Sequence, residues 1–144
     1  MNTDRYELTT RDSIDLLRTA SIGRLCIVEH DFPVAVPVNY RLVGPEGDGR
    51  VVVRVAPDSM LARYRGNASL EVDDIQLERG VAWSVIVRGV FVAEPDSSGL
   101  ADPRPMITAN RRQWMSLGRL IISGRRFVIH PANDGYSVDW QSTA

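Results

Sequence analysis

Lysine is absent from these 144 residues, and every one of the 17 basic side chains is an arginine. That excludes chemistry built on a lysine amine, such as a Schiff base. The skew carries no functional conclusion of its own, because genome composition produces it as readily as selection for phosphate contacts. Cysteine occurs once, at Cys26, which rules out an internal disulfide and argues against a cysteine-built metal site. In an apolar strand that thiol reads as a buried, inert one. The two histidines, His30 and His130, sit far apart without a third ligand at a metal-binding spacing. No stretch is long and apolar enough to span a bilayer, and Met1–Arg5 lacks the basic-then-apolar layout of a secretion signal. The 17 basic residues face 18 acidic ones, so no global field gathers nucleic acid or an anionic membrane. The doublets Arg111–Arg112 and Arg125–Arg126 lack interleaved aromatics. Neither a serine elbow nor a phosphate-cradling glycine loop is present. The expectation is a soluble, cytoplasmic protein without metal, nucleic-acid or membrane partners.

The length suits one domain with a real core, residues 1–144, in which 131–144 form a peripheral tail. Thr9 or Thr10, with Asp12 following, caps a short helix whose apolar side is Ile14, Leu16 and Leu17. Ile22–Glu29 reads as a strand, followed by a tight connection at His30–Asp31. The stretch Phe32–Tyr40 is apolar and β-rich but broken by Pro33 and Pro37; proline has no backbone donor, so this strand lies at an edge or bulge. It continues through Val43 to a turn at Gly44–Gly49 and a third strand, Arg50–Val55. Asp58 or Ser59 caps a short helix ended by Gly66–Asn67. A short strand at Ser69–Asp73, a turn at Glu78–Gly80 and a long alternating strand from Val81 to Ala93 follow. That alternation sets Val81, Trp83, Val85, Val87 and Gly89 opposite Ser84, Ile86 and Arg88. Pro95–Pro105 reads as a loop, 110–117 as a short helix, and Arg119–Ile122 and Arg126–His130 as the last strands. Short strands with small helices between them give a mainly β fold, a compact antiparallel barrel.

Several residues carry chemistry worth testing. A phosphate needs cationic forks and free backbone donors, and Arg54 beside a helix start at Asp58–Ser59 offers both. Arg54 equally suits a solvated strand position, and Ser59 a plain helix cap. A flat ring with donors and acceptors along one edge suits the amide of Asn39 and the unpaired backbone beside Pro37. Trp83 is a candidate for such a site and equally for core or subunit packing. Glu71, Asp73 and Asp74 form a carboxylate cluster without the defined separation of a glycosidase pair.

The motifs also fall in a familiar order. Gly23-Arg24-Leu25, Pro37-Val38-Asn39-Tyr40, Arg54 to Leu61, Glu71-Val72-Asp73 and Trp83-Ser84-Val85 with Gly89 together resemble the pyridoxamine 5′-phosphate oxidase-like family. The likeness is to its short, nitroimidazole-resistance-like flavin-binding members. It implies a six-stranded antiparallel split barrel that forms a homodimer, with one flavin mononucleotide (FMN) in each groove between subunits. On that pattern Pro37, Val38, Asn39 and Tyr40 line the isoalloxazine. Arg54 and the turn Ser59-Met60-Leu61 sit by the ribityl phosphate, and Trp83 and Ser84 approach from the fifth strand or across the dimer. No side chain is expected to be catalytic, because the flavin carries the hydride chemistry. The implied activity is an FMN-dependent oxidoreductase acting on a small molecule; a deazaflavin-dependent reductase and a non-catalytic cofactor-binding or sensing module are the alternatives. One departure bears on affinity: where relatives carry lysine beside the phosphate, this chain has Met60. A histidine common in nitroimidazole-reducing relatives is replaced near Arg54, and the substrate signature of the vitamin B6 oxidases is missing.

Overall fold

In a computed structural model, residues 5–44, 49–94, 103, 112–132 and 135–138 are described. These residues form nine strands and two α-helices. In chain order they are β1 (Arg5–Leu8), α1 (Thr10–Thr19), β2 (Ile22–Glu29), β3 (Phe32–Asn39), β4 (Arg41–Val43) and β5 (Arg50–Val55). There follow α2 (Met60–Arg63), β6 (Gly66–Gln76), a single 3-10 turn at Leu77–Arg79, β7 (Val81–Ala93), β8 (Gln113–Ala132) and β9 (Gly135–Val138).

All pairings are antiparallel, and the strands run β3-β2-β6-β7-β8-β5-β4, with β1 and β9 added on β8. The two ends of this path, β3 and β4, are consecutive in the chain and separated only by Tyr40. The sheet therefore closes on itself through a bend in one segment rather than through a continuous ladder. This is the split barrel: six main strands (β2, β3, β5, β6, β7 and β8) carry it, and the three short ones are additions to the expected six. The run Phe32–Val43, expected as one strand, divides at Tyr40. Its first half pairs with β2 and its second with β5.

The prolines explain the order. β3 is the first strand of the path, so Pro33 and Pro37 owe no hydrogen bond to a second neighbour. The β2–β3 connection is a two-residue turn in which His30 and Asp31 both take left-handed backbone angles (φ 49° and 67°), the geometry that suits tight hairpins. Alternation then sorts the side chains. Leu25, Ile27, Leu70, Val72, Val85, Val87, Phe91, Met115 and Leu117 face inward as one cluster, each worth about 1.5–3 kcal/mol of burial.

Helix α1 covers one side of the barrel. Thr9 caps it, its Oγ1 accepting from the Asp12 N–H at 3.1 Å. Ser13, Ile14 and Leu17 form its buried face and Leu16 is half-buried. The helix meets β8 at Gly124, where a side chain would collide with the Ser13 hydroxyl.

Some expected elements differ. The helix read over 110–117 is strand from Gln113 onward: Met115 and Leu117 face the core opposite Val53 and Val51, and that pairing overrides local preference. The strand at Ser69–Asp73 extends to Gly66–Gln76, because β7 offers a full-length partner. The two last strands are one, β8, continuous through Gly124. The expected tail contributes β9, which pairs back on β8, and β1 was not anticipated. Residues 45–48 of the expected turn, all but residue 103 of the stretch 95–105, and residues 110–111 lie outside the described residues.

Candidate functional site

The bend at Tyr40 organises the candidate site. Its N–H carries the β2–β3 register one step further, donating to the Ser21 carbonyl at 3.0 Å. Its phenol turns inward, 1% exposed, and donates to the Leu17 carbonyl at 2.6 Å. Burial pushes its ionisation well above the ordinary value of 10. Tyr40, expected to line a ring, is thus a core residue that fixes the bend and ties it to the end of α1.

Asn39 lies immediately before the bend, half-buried, paired with Ile22. The register that matches Arg41 with Val52 carries Arg54 to the level of Asn39 on the far side of the bend. Their neighbours Val38, Val53 and Val55 face the core, so Asn39 and Arg54 both face outward. Arg54 pairs with Trp114 on β8, and its guanidinium lies over that indole, 5.7 Å from the ring centre. The structure thus brings the amide and the cation to one end of the barrel's outer surface. Val38 turns its side chain inward, and Pro37 stands exposed on the free edge of β3.

The turn after β5 is more committed than expected. The Ser59 hydroxyl donates to the Ala56 carbonyl at 2.6 Å and accepts from the Ala62 N–H at 3.3 Å, so it works as a cap. Helix α2 spans four residues, too short for a useful dipole. Leu61 is a core side chain, 5% exposed, and Met60 is half-buried against the same core. Of the expected phosphate group, Arg54 is half-buried on the outward side against Trp114, while Ser59 and Leu61 serve the fold.

Trp83 and Ser84 are consecutive on β7, so they point to opposite faces. Trp83 is 6% exposed within the core cluster, and the packing role describes it in this chain. Ser84 faces outward at the level of Asp73 and Arg125. Continuing the β2–β6 register sets that level with Ile22 and Asn39. Three strand spacings separate Ser84 from Asn39, about 14 Å. One chain does not bring them together around a ring.

The carboxylate cluster has a partner that sequence reading missed. Arg24, paired across the strands with Glu71, reaches both Glu71 (2.9 Å) and Asp73 (3.1 Å) with one nitrogen. Burial, reinforced by Asp73, raises the Glu71 carboxyl from about 4.5 to about 7, against the pull of Arg24. Alternation alone could have signalled this, since residues 22, 24, 71 and 73 occupy one face. Cys26 lies on that face too, half-exposed rather than buried in the core; partial burial and Glu71 raise its pKa. His30 and His130 are exposed, and no group of metal-binding residues occurs among the described residues. No described helix is long and apolar enough to cross a membrane.

Comparison with known proteins agrees with this geometry. A solved structure from Corynebacterium glutamicum, described as a candidate pyridoxamine 5′-phosphate oxidase, superposes over 92% of this chain and 99% of its own, with a TM-score of 0.75 and 21% identity. The FAD-binding protein of Mycobacterium smegmatis superposes over 85% of this chain and 98% of its own, with a TM-score of 0.64 and 25% identity. The uncharacterized protein Rv0080 of Mycobacterium tuberculosis is 30% identical over 102 residues, 66% of this chain and 64% of its own length, so just under two thirds of that relative is matched. The family model of the pyridoxamine 5′-phosphate oxidases matches residues 9–115, most of the barrel. The chain belongs to the pyridoxamine 5′-phosphate oxidase family.

Proposed function

We propose that this protein binds a flavin at the bend of the barrel and acts as an oxidoreductase on a small molecule, as a homodimer. The observation that carries the reading is the convergence of Asn39 and Arg54 at one outward-facing end, beside the free edge of β3. The flavin-binding neighbour of the same fold supports it.

The residues fit the group at both of its ends. The Asn39 amide and the open backbone edge at Pro37–Val38 suit the polar rim of an isoalloxazine, and Arg54 suits a phosphate. Stacking on Trp114 holds the guanidinium in a defined plane, which lowers the entropy lost on gripping an anion. The bound flavin supplies two-electron transfer between a donor and a small electrophile. The chain's own residues bind, orient and exclude water. The second subunit enters because Ser84 lies about three strands from Asn39. The partner's copy of that strand would complete the groove, and Ile22, exposed between the two on the same face, is suited to be covered by it.

FMN is the flavin the short members of the family suggest. Met60 in place of lysine, together with a Ser59 hydroxyl already used twice, leaves Arg54 as the main anchor. A single anchor favours a cofactor with a second handle as much as FMN, so FAD, named for the Mycobacterium smegmatis protein, and a deazaflavin belong in the same test.

The test is to titrate the purified full chain with FMN, FAD and a deazaflavin, and to identify whatever co-purifies after denaturing release. Flavin absorbance at one equivalent per subunit, bleached by a reductant, is the expected result. A colourless chain that binds none of the three overturns the reading, and binding without reoxidation by any small electrophile leaves a non-catalytic module. Sedimentation decides the dimer.

A further inference from the structure

A groove of about 510 Å³ opens on the outer face of the sheet, at the end away from Asn39. Its floor is a cross-strand row in which Ser69 on β6 faces Arg88 on β7, and Arg88 faces Ile121 on β8. In the next row Asn67 faces Val90.

Beyond Arg88 the ladder slips. Arg88 pairs with Ile121 and Val90 with Gly118, so two steps on β7 meet three on β8. The extra residue is Arg119, whose backbone is left-handed (φ 56°), a conformation that ordinary L residues avoid. The slip depends on close approach: a Cβ at Gly89 would lie 2.5 Å from the Gly118 carbonyl oxygen. Bulges of this kind re-aim a side chain, and this one sets Arg119 beside Arg88 in the groove wall.

Both guanidiniums are exposed, and neither has an ion-pair or hydrogen-bond partner among the described residues. Among the described residues, no aspartate or glutamate lines the groove. On the same face Glu71 and Asp73 are occupied by Arg24 instead. Two like charges line one groove, one of them on a left-handed backbone, and an anion bound there would offset both charges. The hydroxyl of Ser69 and the amide of Asn67 add donors, while Val90 and Ile121 add apolar wall. The volume suits a small organic molecule.

We propose that this groove binds an organic anion, a carboxylate or phosphate held by Arg88 and Arg119, with an apolar body against Val90 and Ile121. The site is separate from the flavin position and does not depend on the flavin reading.

The experiment is calorimetry on the full chain with three probes that share one ring system: 1-naphthyl phosphate, 1-naphthoate and neutral 1-naphthol. At least one anionic probe is expected to saturate at one per chain, tenfold or more tighter than naphthol, and the tighter of the two identifies the anion. Arg88→Gln and Arg119→Gln each weaken it at least tenfold. Arg119→Gly relaxes the backbone while removing the cation, and it weakens binding as much while the fold stays intact. Arg54→Ala leaves the affinity unchanged. Equal binding of naphthol, indifference to the arginine variants, or loss in Arg54→Ala overturns the proposal. So does an Ile121→Glu variant that changes the association state of the chain, which would make the groove a contact between copies.

Discussion

Tyr40 donates its hydroxyl to the carbonyl of Leu17, 2.6 Å away and 23 residues earlier in the chain, within the core. The acceptor lies in the last turn of α1, where carbonyls lack an intrahelical donor. Tyr40→Phe removes that donor and leaves a buried acceptor unsatisfied, a loss of about 1–3 kcal/mol in denaturant unfolding. The pH dependence follows as well. Burial raises the ionisation of this phenol above its ordinary value of 10. Its contribution is therefore complete below pH 10 and declines as pH rises beyond, because the unfolded chain ionises first. Tyr40→Phe should flatten that alkaline decline.

At Gly89 the β7 backbone runs close against β8. A methyl group there meets the Gly118 carbonyl oxygen at 2.5 Å, backbone that has no rotamer to yield. Gly89→Ala should cost about 1–3 kcal/mol, the range of overpacked sites. Ala82→Gly, on the same strand, should leave the hydrogen exchange of residues 118–121 as in the parent, whereas Gly89→Ala accelerates it.

Glu71 titrates where most proteins are handled. With its carboxyl raised from about 4.5 to about 7, the folded chain holds a proton that the unfolded chain has released. Folding stability then falls as pH rises between those values and is constant above them, as far as this group is concerned. Glu71→Gln should remove that slope from melting temperature against pH. A parallel pair of curves for parent and variant would show that Arg24 keeps Glu71 ionised throughout.

Arg54 and Ser59 separate cofactor binding from folding. Arg54→Ala should weaken flavin retention by about 1.5–3 kcal/mol, the worth of a charged hydrogen bond, or roughly 10- to 100-fold. Ser59→Ala breaks a cap and should cost about 1 kcal/mol of stability with little change in flavin affinity. Arg112→Ala, at an exposed position, serves as the control. Equal effects of Arg54→Ala and Arg112→Ala would remove Arg54 from the phosphate.

Alternation made much of the barrel legible. The sequence expectation of a strand from Val81 to Ala93 is met residue for residue, because buried Trp83, Val85, Val87 and Phe91 alternate with the less buried Ser84, Ile86 and Arg88 on the other face. Thr9 and the hairpin at His30–Asp31 were readable for the same reason: each is local chemistry. What was not legible is what distant partners impose. The stretch from Gln113 to Leu117 carries no strong local preference, and its pairing with β5 on one side and β7 on the other makes it a strand. The bend at Tyr40 is equally invisible, since Leu17 and Ser21 decide it from another element. Of the candidate residues, Asn39 was singled out as an amide beside a broken strand and Arg54 as a cation beside a helix start, and both face outward. Tyr40, Leu61 and Trp83 looked similar as letters, and burial alone tells them apart.

Strand β8 touches β1, β5, β7 and β9, four of the eight other strands among the described residues, yet it is among the last of these elements. During synthesis the earlier hairpins emerge first and must wait for residues 113–132 before the barrel can close. Nascent chains consequently carry open β5 and β7 flanks until β8 is made, an interval in which pairing with another ribosome's product competes with completion. Stalling or truncation upstream of Gln113 would thus yield sticky fragments rather than a smaller working unit.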